Sequence, residues 1–452
     1  MKAIILAAGQ GKRMHAKMQK VLHPILGKSI VQYTVEAAQQ AGICDITVVV
    51  GRDGESIENE LKNFNSNVYF ATQDPPLGTG HAVQSGMGRI ADDDDVLILY
   101  GDMPLITTEF IKEMIDFYNH NDCNAVLAAV YHPDVIDFGR VYDNNGDFVE
   151  IIEFKDMKPN TKKSDWVNPG IYLMKGAALS SGLARLKNDN SQQEYYLTDV
   201  PKLLVEDGLS VKVFQTRDDI STFTGINTQT QLSEAVTHMR KRINEGHMAQ
   251  GVRMIDPATV FIDSTVKLAP EVVIYPNVIL EGKCEVETGA VIGPNTHMTS
   301  TIVGEGTHVR QSVTNNAKIG KDTEVGPFAY LRPDTVIGNA CRVGNFVEVK
   351  KATLGDGTKM AHLSYVGDAE VGSGVNIGCG AITVNYDGKN KHRTIINDGA
   401  FIGSNVNLVA PVEIGHGATV AAGSTITESI PSDSLGIARE RQTTKPNWKK
   451  KK

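Results

Sequence analysis

The chain has 452 residues, 41% of them hydrophobic and 22% charged, with a formal net charge of −8. That length accommodates two or three domains with large cores, and the acidic balance argues against a nucleic-acid-binding surface. Five cysteines, at 44, 123, 284, 341 and 379, show no CxxC spacing, so neither a disulfide frame nor a zinc site is expected and the setting reads as cytoplasmic.

Residues 3–8 form the first apolar run. It is too short for a signal core and passes straight into Gly-Gln-Gly-Lys-Arg, which reads as a buried strand followed by a turn. No apolar run reaches the roughly 20 residues of a membrane span. Further apolar runs at 46–50, 96–100 and 125–130 alternate with helix-like stretches at 30–40 and 109–118. Strands alternating with helices predict an α/β, Rossmann-like domain over residues 1–227, with ligands beyond the carboxyl ends of its strands.

Three turns of this half carry chemistry. Residues 6–14, LAAGQGKRM, follow the first strand; Gly9 and Gly11 let backbone N–H groups approach a phosphate, and Lys12, Arg13 and Lys20 add positive charge. The spacing is neither a Walker loop nor a dinucleotide fingerprint, and such a turn by itself often binds nothing. Residues 73–81, QDPPLGTGH, are a second glycine-rich turn. In residues 100–105, YGDMPL, Asp102 sits beyond an apolar strand, where it could hold Mg²⁺ or simply form a turn.

Leu232, Ala235, Val236, Met239 and Ile243 then recur at helical spacing, predicting a connecting helix over 228–248, clearest at 229–247. From Ile262 the pattern changes to a six-residue beat: Ile262, Leu268, Ile274, Leu280, Val286 and Ile292, again from Ile319 to Val349, and again from Ile396 to Ile426. A triangular solenoid repeats in this way, each hexad giving one short strand and one corner. A left-handed parallel β-helix (hexapeptide repeat) is therefore expected over 249–437, followed by a solvated basic tail over 438–452.

The beat shortens to five residues between Val349 and Leu354 and between Val366 and Val371, and residues 383–394 leave it altogether. Loops are where solenoids place function. The excursion carries Asn385, Tyr386 and Lys391, and neighbouring coils carry Arg332, Lys350, His362, Tyr365 and Asn376. Cations, amides and a tyrosine suit a phosphorylated amino sugar, and an imidazole is a natural base for an attacking amine at neutral pH. A lone coil histidine is more often a surface residue, the reading kept for His297, His308, His392 and His416.

LAAGQGKRM, the lysine of QKVLHP, QDPPLGTGHA, YGDMPL, FGRV, IIEFKD and VNPGIY together resemble the sugar-nucleotide pyrophosphorylase family. With the solenoid, the chain from Met1 to about Lys445 resembles the bacterial bifunctional N-acetylglucosamine-1-phosphate uridylyltransferase / glucosamine-1-phosphate N-acetyltransferase family. The resemblance implies a cytoplasmic homotrimer without membrane span or nucleic-acid partner. It would make UDP-N-acetylglucosamine, a precursor of peptidoglycan and lipopolysaccharide, from UTP, acetyl-CoA and glucosamine 1-phosphate with Mg²⁺.

The same resemblance implies residue roles. Leu6, Ala8, Gly9, Arg13, Lys20, Gln73, Gly78, Thr79, Tyr100 and Asp102 would bind UTP, with Arg13 and Lys20 on the phosphates and catalytic. Gly139, Glu153, Asn168 and Asn227 would hold N-acetylglucosamine 1-phosphate, and Asp102 with Asn227 the Mg²⁺. In the solenoid, His362 would be the catalytic base, with Glu348 orienting it. Arg332, Lys350, Tyr365, Asn376, Asn385 and Lys391 would hold glucosamine 1-phosphate. Cys379, Asn385, Tyr386, Ser404, Ala422 and Arg439 would contact acetyl-CoA. Gln19, Pro169 and Cys379 depart from the residues commonest there (proline, threonine and alanine); for Cys379 an apolar filler is expected rather than a nucleophile. Two alternatives stand beside this reading: a monofunctional pyrophosphorylase with a structural or regulatory solenoid, and a non-catalytic pair of interaction modules.

Overall fold

The structure is a computed structural model that describes residues 1–9, 11–62, 67–134, 138–158, 163–446 and 448–450. Gln10 of the first glycine-rich turn and residues 451–452 of the basic tail lie outside these. The chain divides into two compact units, Met1–Met239 and Arg240–Lys452.

In the first unit the strands Lys2–Ala7, Asp45–Val50, Asn67–Thr72 and Asp95–Tyr100 run parallel, with Lys2–Ala7 between Asp45–Val50 and Asp95–Tyr100. Tyr172–Lys175 joins antiparallel to Asp95–Tyr100 and leads to Ala125–Tyr131 and Val211–Thr216, so the sheet is mixed. Alternate residues of the first strand enter different cores: Ala3, Ile5 and Ala7 on one face, Ile4 and Leu6 on the other. That is why its sequence is apolar throughout. Helices Ile30–Gln40 and Thr108–His120 cover the first face. Thr79–Gly86, Gly176–Ala184 and Val200–Glu206 cover the second. Local signals set the helix starts. Gln32 Oε1 accepts from the Ser29 N–H at 2.9 Å, and Thr107 accepts from the Phe110 N–H at 3.1 Å.

In the second unit short strands wind into a left-handed parallel β-helix. Strand positions one coil apart pair in register, as Ile262 with Leu280 and Leu280 with Met298. The six-residue beat falls inside: residues from Ile262 to Ile426 form one continuous buried core. Each buried aliphatic side chain contributes about 1.5–3 kcal/mol, so stability is spread along the coil rather than concentrated in it. The two five-residue steps at Val349 and Val366 lie in the long strands Arg342–Leu354 and Lys359–Val371. Short steps also run from Met298 to Val303 and from Val309 through Thr314 to Ile319. Those coils carry none of the expected site residues, so a shortened step alone does not mark a site.

The helix Gln229–Ala249 spans the division between the units. Its later turns belong to the solenoid: Asn244 donates to the Pro257 and Val260 carbonyls, Ile243 packs on the coil core, and Arg240 lies 4.9 Å over the Phe261 ring. These contacts cover the open end of the first coil, as a terminal cap must in a stacked array.

Candidate functional sites

Beyond the carboxyl end of Lys2–Ala7 lies a cavity of about 410 Å³. Leu6, Ala8, Gly9, Lys20, Gln73, Gly78, Thr79, Tyr100 and Asp102 all line it, as does Glu194, which carried no sequence-based expectation. Arg13 is exposed on the 3₁₀ turn Lys12–Met14 and is not among the lining residues. Gln73 is buried and donates to the Gly78 carbonyl at 2.9 Å. Gly78 has φ +111°, and a Cβ there would lie 2.7 Å from the Tyr195 carbonyl oxygen, so the turn requires glycine.

Lys20 is buried, and its ammonium donates to Asp102 Oδ2 at 2.5 Å and Asn227 Oδ1 at 3.1 Å. The other Asp102 oxygen, Oδ1, is buried with no partner among the described residues. A Cβ on Gly225 would stand 3.1 Å from Asp102 Oδ2, so a bare glycine leaves room around the carboxylate. Among the described residues no cluster of three or more His, Cys, Asp or Glu could hold a metal. One carboxylate and one amide oxygen converging on a cation, with a spare carboxylate oxygen, fit a hard ion that keeps waters and substrate phosphates.

The expected sugar residues gather beside this cavity. The Asn168 N–H donates to the Gly139 carbonyl at 2.8 Å, and a Cβ on Gly139 would meet Glu153 Oε2 at 3.3 Å. The Asn168 side chain turns inward: Nδ2 donates to the Tyr172 hydroxyl at 2.9 Å and Oδ1 accepts from Gly170 N–H at 3.0 Å, bridging Pro169. Glu153 titrates above the usual carboxylate range because burial penalises its charge, a shift opposed by a hydrogen bond from Thr198. Burial likewise pushes the Tyr100 phenol well up, with the Glu153 and Asp102 carboxylates adding to it and a Thr79 hydrogen bond opposing. Glu194 and Thr198 share the stretch QEYYLTD, residues 193–199; Tyr195 straps the second glycine-rich turn through bonds with Leu77 and Gly80. A tyrosine-rich polar run inside an apolar half was the available signal.

In the solenoid, register builds the second site. Met360 pairs with Ile377, Ile377 with Ile402 and Ile402 with Val420. Two residues on, His362, Cys379, Ser404 and Ala422 therefore occupy one corner column on successive coils. Arg439 joins it by donating to the Ala422 carbonyl at 2.7 Å. The Cys379 N–H has no acceptor among the described residues, and the His362 ring makes no hydrogen bond there. A second column aligns Leu331, Val349 and Val366, which stacks Arg332 on Lys350. Lys350 titrates below the usual lysine range, first because the Lys391 amine lies against it and then through desolvation and Arg332. Three cations lie close together and outnumber the two carboxylates near them, Glu348 and Asp368, an arrangement that can hold a phosphate. Glu348 ion-pairs with Arg332 at 2.8 Å rather than bonding the His362 ring. Asn376 lies on the strand leading to Cys379, with no side-chain hydrogen bond to the other site residues among those described.

The excursion is shorter than the expected 383–394, because Thr383 and Thr394 are buried in coil strands paired with Leu408 and Val412, and what leaves the coil is a tight hairpin over 385–393. Tyr386 bridges Lys391, and Asp387 accepts from the Lys389 and Asn390 N–H groups and pairs with the His392 ring at 2.7 Å. Those donors, the Asn390 N–H first, hold the Asp387 carboxyl well below its usual range. Asp387 was not anticipated; the Asp-Gly pair at 387–388 signals the turn.

Residues 3–195 match the MobA-like NTP transferase domain family, and residues 316–351 and 393–428 match the bacterial transferase hexapeptide (six repeats) family. Over 451 residues the chain is 45% identical to the bifunctional protein GlmU of Shouchella clausii, covering 99% of this chain and 98% of that one. It is 42% identical to GlmU of Clostridioides difficile over 452 residues, covering 100% and 98%. With GlmU of Brevibacillus brevis it shares 43% over 451 residues, covering 99% and 97%. The chain belongs to the GlmU family. It is a bifunctional transferase of UDP-N-acetylglucosamine synthesis that joins uridylyl transfer to acetyl transfer. A match over nearly the whole chain sets aside the monofunctional and non-catalytic alternatives. Among the described residues no helix is long and apolar enough to cross a membrane.

Proposed function

We propose that residues 249–437 acetylate glucosamine 1-phosphate with acetyl-CoA, and that residues 1–227 then couple the product to UTP with Mg²⁺, the helix of 228–248 connecting the two. The observation that carries the acetyl half is the pair of corner columns: an unbonded imidazole and a free N–H at Cys379 on one, the cations Arg332, Lys350 and Lys391 at the other. Arg332, Lys350 and Lys391 take the phosphate, and Tyr365, Asn376 and Asn385 the sugar. His362 removes a proton as the amine nitrogen attacks the thioester carbon. The Cys379 N–H faces the developing oxyanion, the C–S bond breaks, and CoA leaves along Tyr386, Ser404, Ala422 and Arg439.

In the uridylyl half Gln73, Gly78 and Thr79 read the base against Leu6, Ala8 and Gly9, with Tyr100 on the cavity wall. Gly139, Glu153 and Asn168 receive the sugar. Its phosphate oxygen attacks the α-phosphorus of UTP and pyrophosphate leaves, so catalysis is positioning and charge neutralisation. Lys20 and Arg13 serve the phosphates, Arg13 from its exposed turn. Asp102 and Asn227 would hold Mg²⁺, which when bound neutralises phosphate charge.

The enzyme acts as a homotrimer in the cytoplasm. Support for assembly is an exposed apolar ridge: Phe328 and Phe346 stack at 5.2 Å, and Leu363 follows on the next coil beside His362. They are 52%, 60% and 60% exposed, more than an isolated coil keeps in water without use. A fully active monomer by light scattering would overturn the trimer. Supplying glucosamine 1-phosphate, acetyl-CoA, UTP and Mg²⁺ tests the reactions: free thiol and pyrophosphate should both accumulate, and thiol release without UTP should persist. Pyrophosphate release from UTP and glucosamine 1-phosphate without acetyl-CoA, at the full rate, would contradict the order proposed.

A further inference from the structure

We propose that Asp368 is a positioning residue for acetyl transfer: its carboxylate locks the Asn385 amide so that the amide oxygen faces the amino group of the sugar phosphate. The proposal rests on the reading of the solenoid site given above.

Asp368 occupies the five-residue corner after Val366, with φ +49°. Aspartate and asparagine are the side-chain-bearing residues that adopt this left-handed backbone most readily. The corner is pinned. Gly367 N–H donates to Thr383 Oγ1 at 2.8 Å, and that hydroxyl donates back to the Gly367 carbonyl at 3.1 Å. Asn385 is two residues beyond Thr383, so the same pair of bonds fixes its approach to Asp368. A Cβ on Gly367 would stand 2.2 Å from the Tyr365 hydroxyl, so this glycine also gives the Tyr365 ring its place.

Asn385 is 8% exposed, and its Nδ2 donates to Asp368 Oδ2 at 2.5 Å and to the Tyr365 hydroxyl at 3.4 Å. An ionised carboxylate only accepts hydrogen bonds, so the amide atom that faces it must be nitrogen. Both amide hydrogens are then committed within the protein. Oδ1 has no donor among the described residues, yet it is not one of the buried orphaned atoms. An accessible acceptor held in one orientation matches a donor, which the 2-amino group of the substrate supplies. Were the amide free to turn, its NH₂ would meet the amine donor to donor. The Asp368 carboxylate also favours the charged form of Lys350, across the coil from Gly367, and so serves the phosphate end as well.

Asp368→Asn keeps a residue suited to the left-handed corner and replaces an acceptor by a group that can accept or donate. At saturating glucosamine 1-phosphate and acetyl-CoA, acetyl transfer should slow about tenfold or more, while uridylyl transfer and Tm stay at wild-type values. Asn385→Ala should slow it too, and adding Asp368→Asn to that variant should cost less than about a further twofold in kcat, because the two act in series. Additive losses would overturn the proposal, as would full kcat in Asp368→Asn alongside an impaired Asn385→Ala. Full activity in Asn385→Ala would instead overturn the sugar assignment beneath it.

Discussion

Lys20 holds the two oxygens, Asp102 Oδ2 and Asn227 Oδ1, that the proposed divalent cation would need. Its ammonium sits 2.5 Å from Asp102 Oδ2 and 3.1 Å from Asn227 Oδ1, with both charged side chains largely shielded, at 9% and 15% exposure. A metal entering without nucleotide must displace a charge-assisted bond of about 1.5–3 kcal/mol. Lys20→Met removes the cation while keeping most of the apolar stem. At about 1.4 kcal/mol per tenfold, it should bind Mn²⁺ roughly 10–150-fold more tightly in the absence of nucleotide, read by the loss of the free-ion EPR signal. The same variant should lose uridylyl transfer, since no cation then moves to the phosphates. It should also melt earlier in chelator and recover more with Mg²⁺ than wild type, because Asp102 is left unpaired. Mn²⁺ affinity equal to or weaker than wild type would refute the competition.

Other substitutions test the remaining geometry. Gly170 has φ +84°, and a Cβ there would lie 2.6 Å from the Tyr100 ring; Gly170→Ala should cost the first unit about 1–3 kcal/mol of stability, read as a lower Tm, and depress uridylyl transfer, with thiol release unchanged. Glu153 is held above the usual carboxylate range by burial, so its unfolded form releases its proton first and stability declines as pH rises from the unfolded value through the folded one. Glu153→Gln should therefore stabilise the first unit near neutral pH, by differential scanning calorimetry, while lowering kcat/KM for N-acetylglucosamine 1-phosphate about tenfold or more. Asp387 is depressed instead, so its hold on the hairpin is present above the ordinary carboxylate range and lost only as pH falls through the lower folded value. NMR shifts of the Lys389 and Asn390 amides should stay unchanged down to about pH 4, and Asp387→Ala should move them at neutral pH and raise the KM of acetyl transfer several-fold.

Periodicity made most of the fold legible. A hexad aliphatic repeat has one structural solution, and the residues on its beat from Ile262 to Ile426 are the solenoid core. The alternating first half was equally readable because Ile4 and Ile5 must both be buried, which only a two-faced sheet allows. Partner choice was less legible. Glu348 meets Arg332 across adjacent coils, and only the coil register sets that pair. Lys20 pairs with Asn227 across 207 positions of chain, a contact no local pattern encodes. Nothing in the sequence sets Asp368 and Asp387 apart, because a turn aspartate reads the same whether it closes a corner or bonds a neighbouring amide. Shortened hexads alone were a poor guide, since those between Met298 and Ile319 carry packing.

The separation of two chemistries in one chain is tested most directly by measuring both products on two variants. With His362→Ala, thiol release from acetyl-CoA and glucosamine 1-phosphate should vanish, while pyrophosphate release from UTP and N-acetylglucosamine 1-phosphate continues at the wild-type rate. With Asp102→Ala the pattern should invert. Loss of both products in either folded variant, or thiol release surviving His362→Ala, would contradict the account.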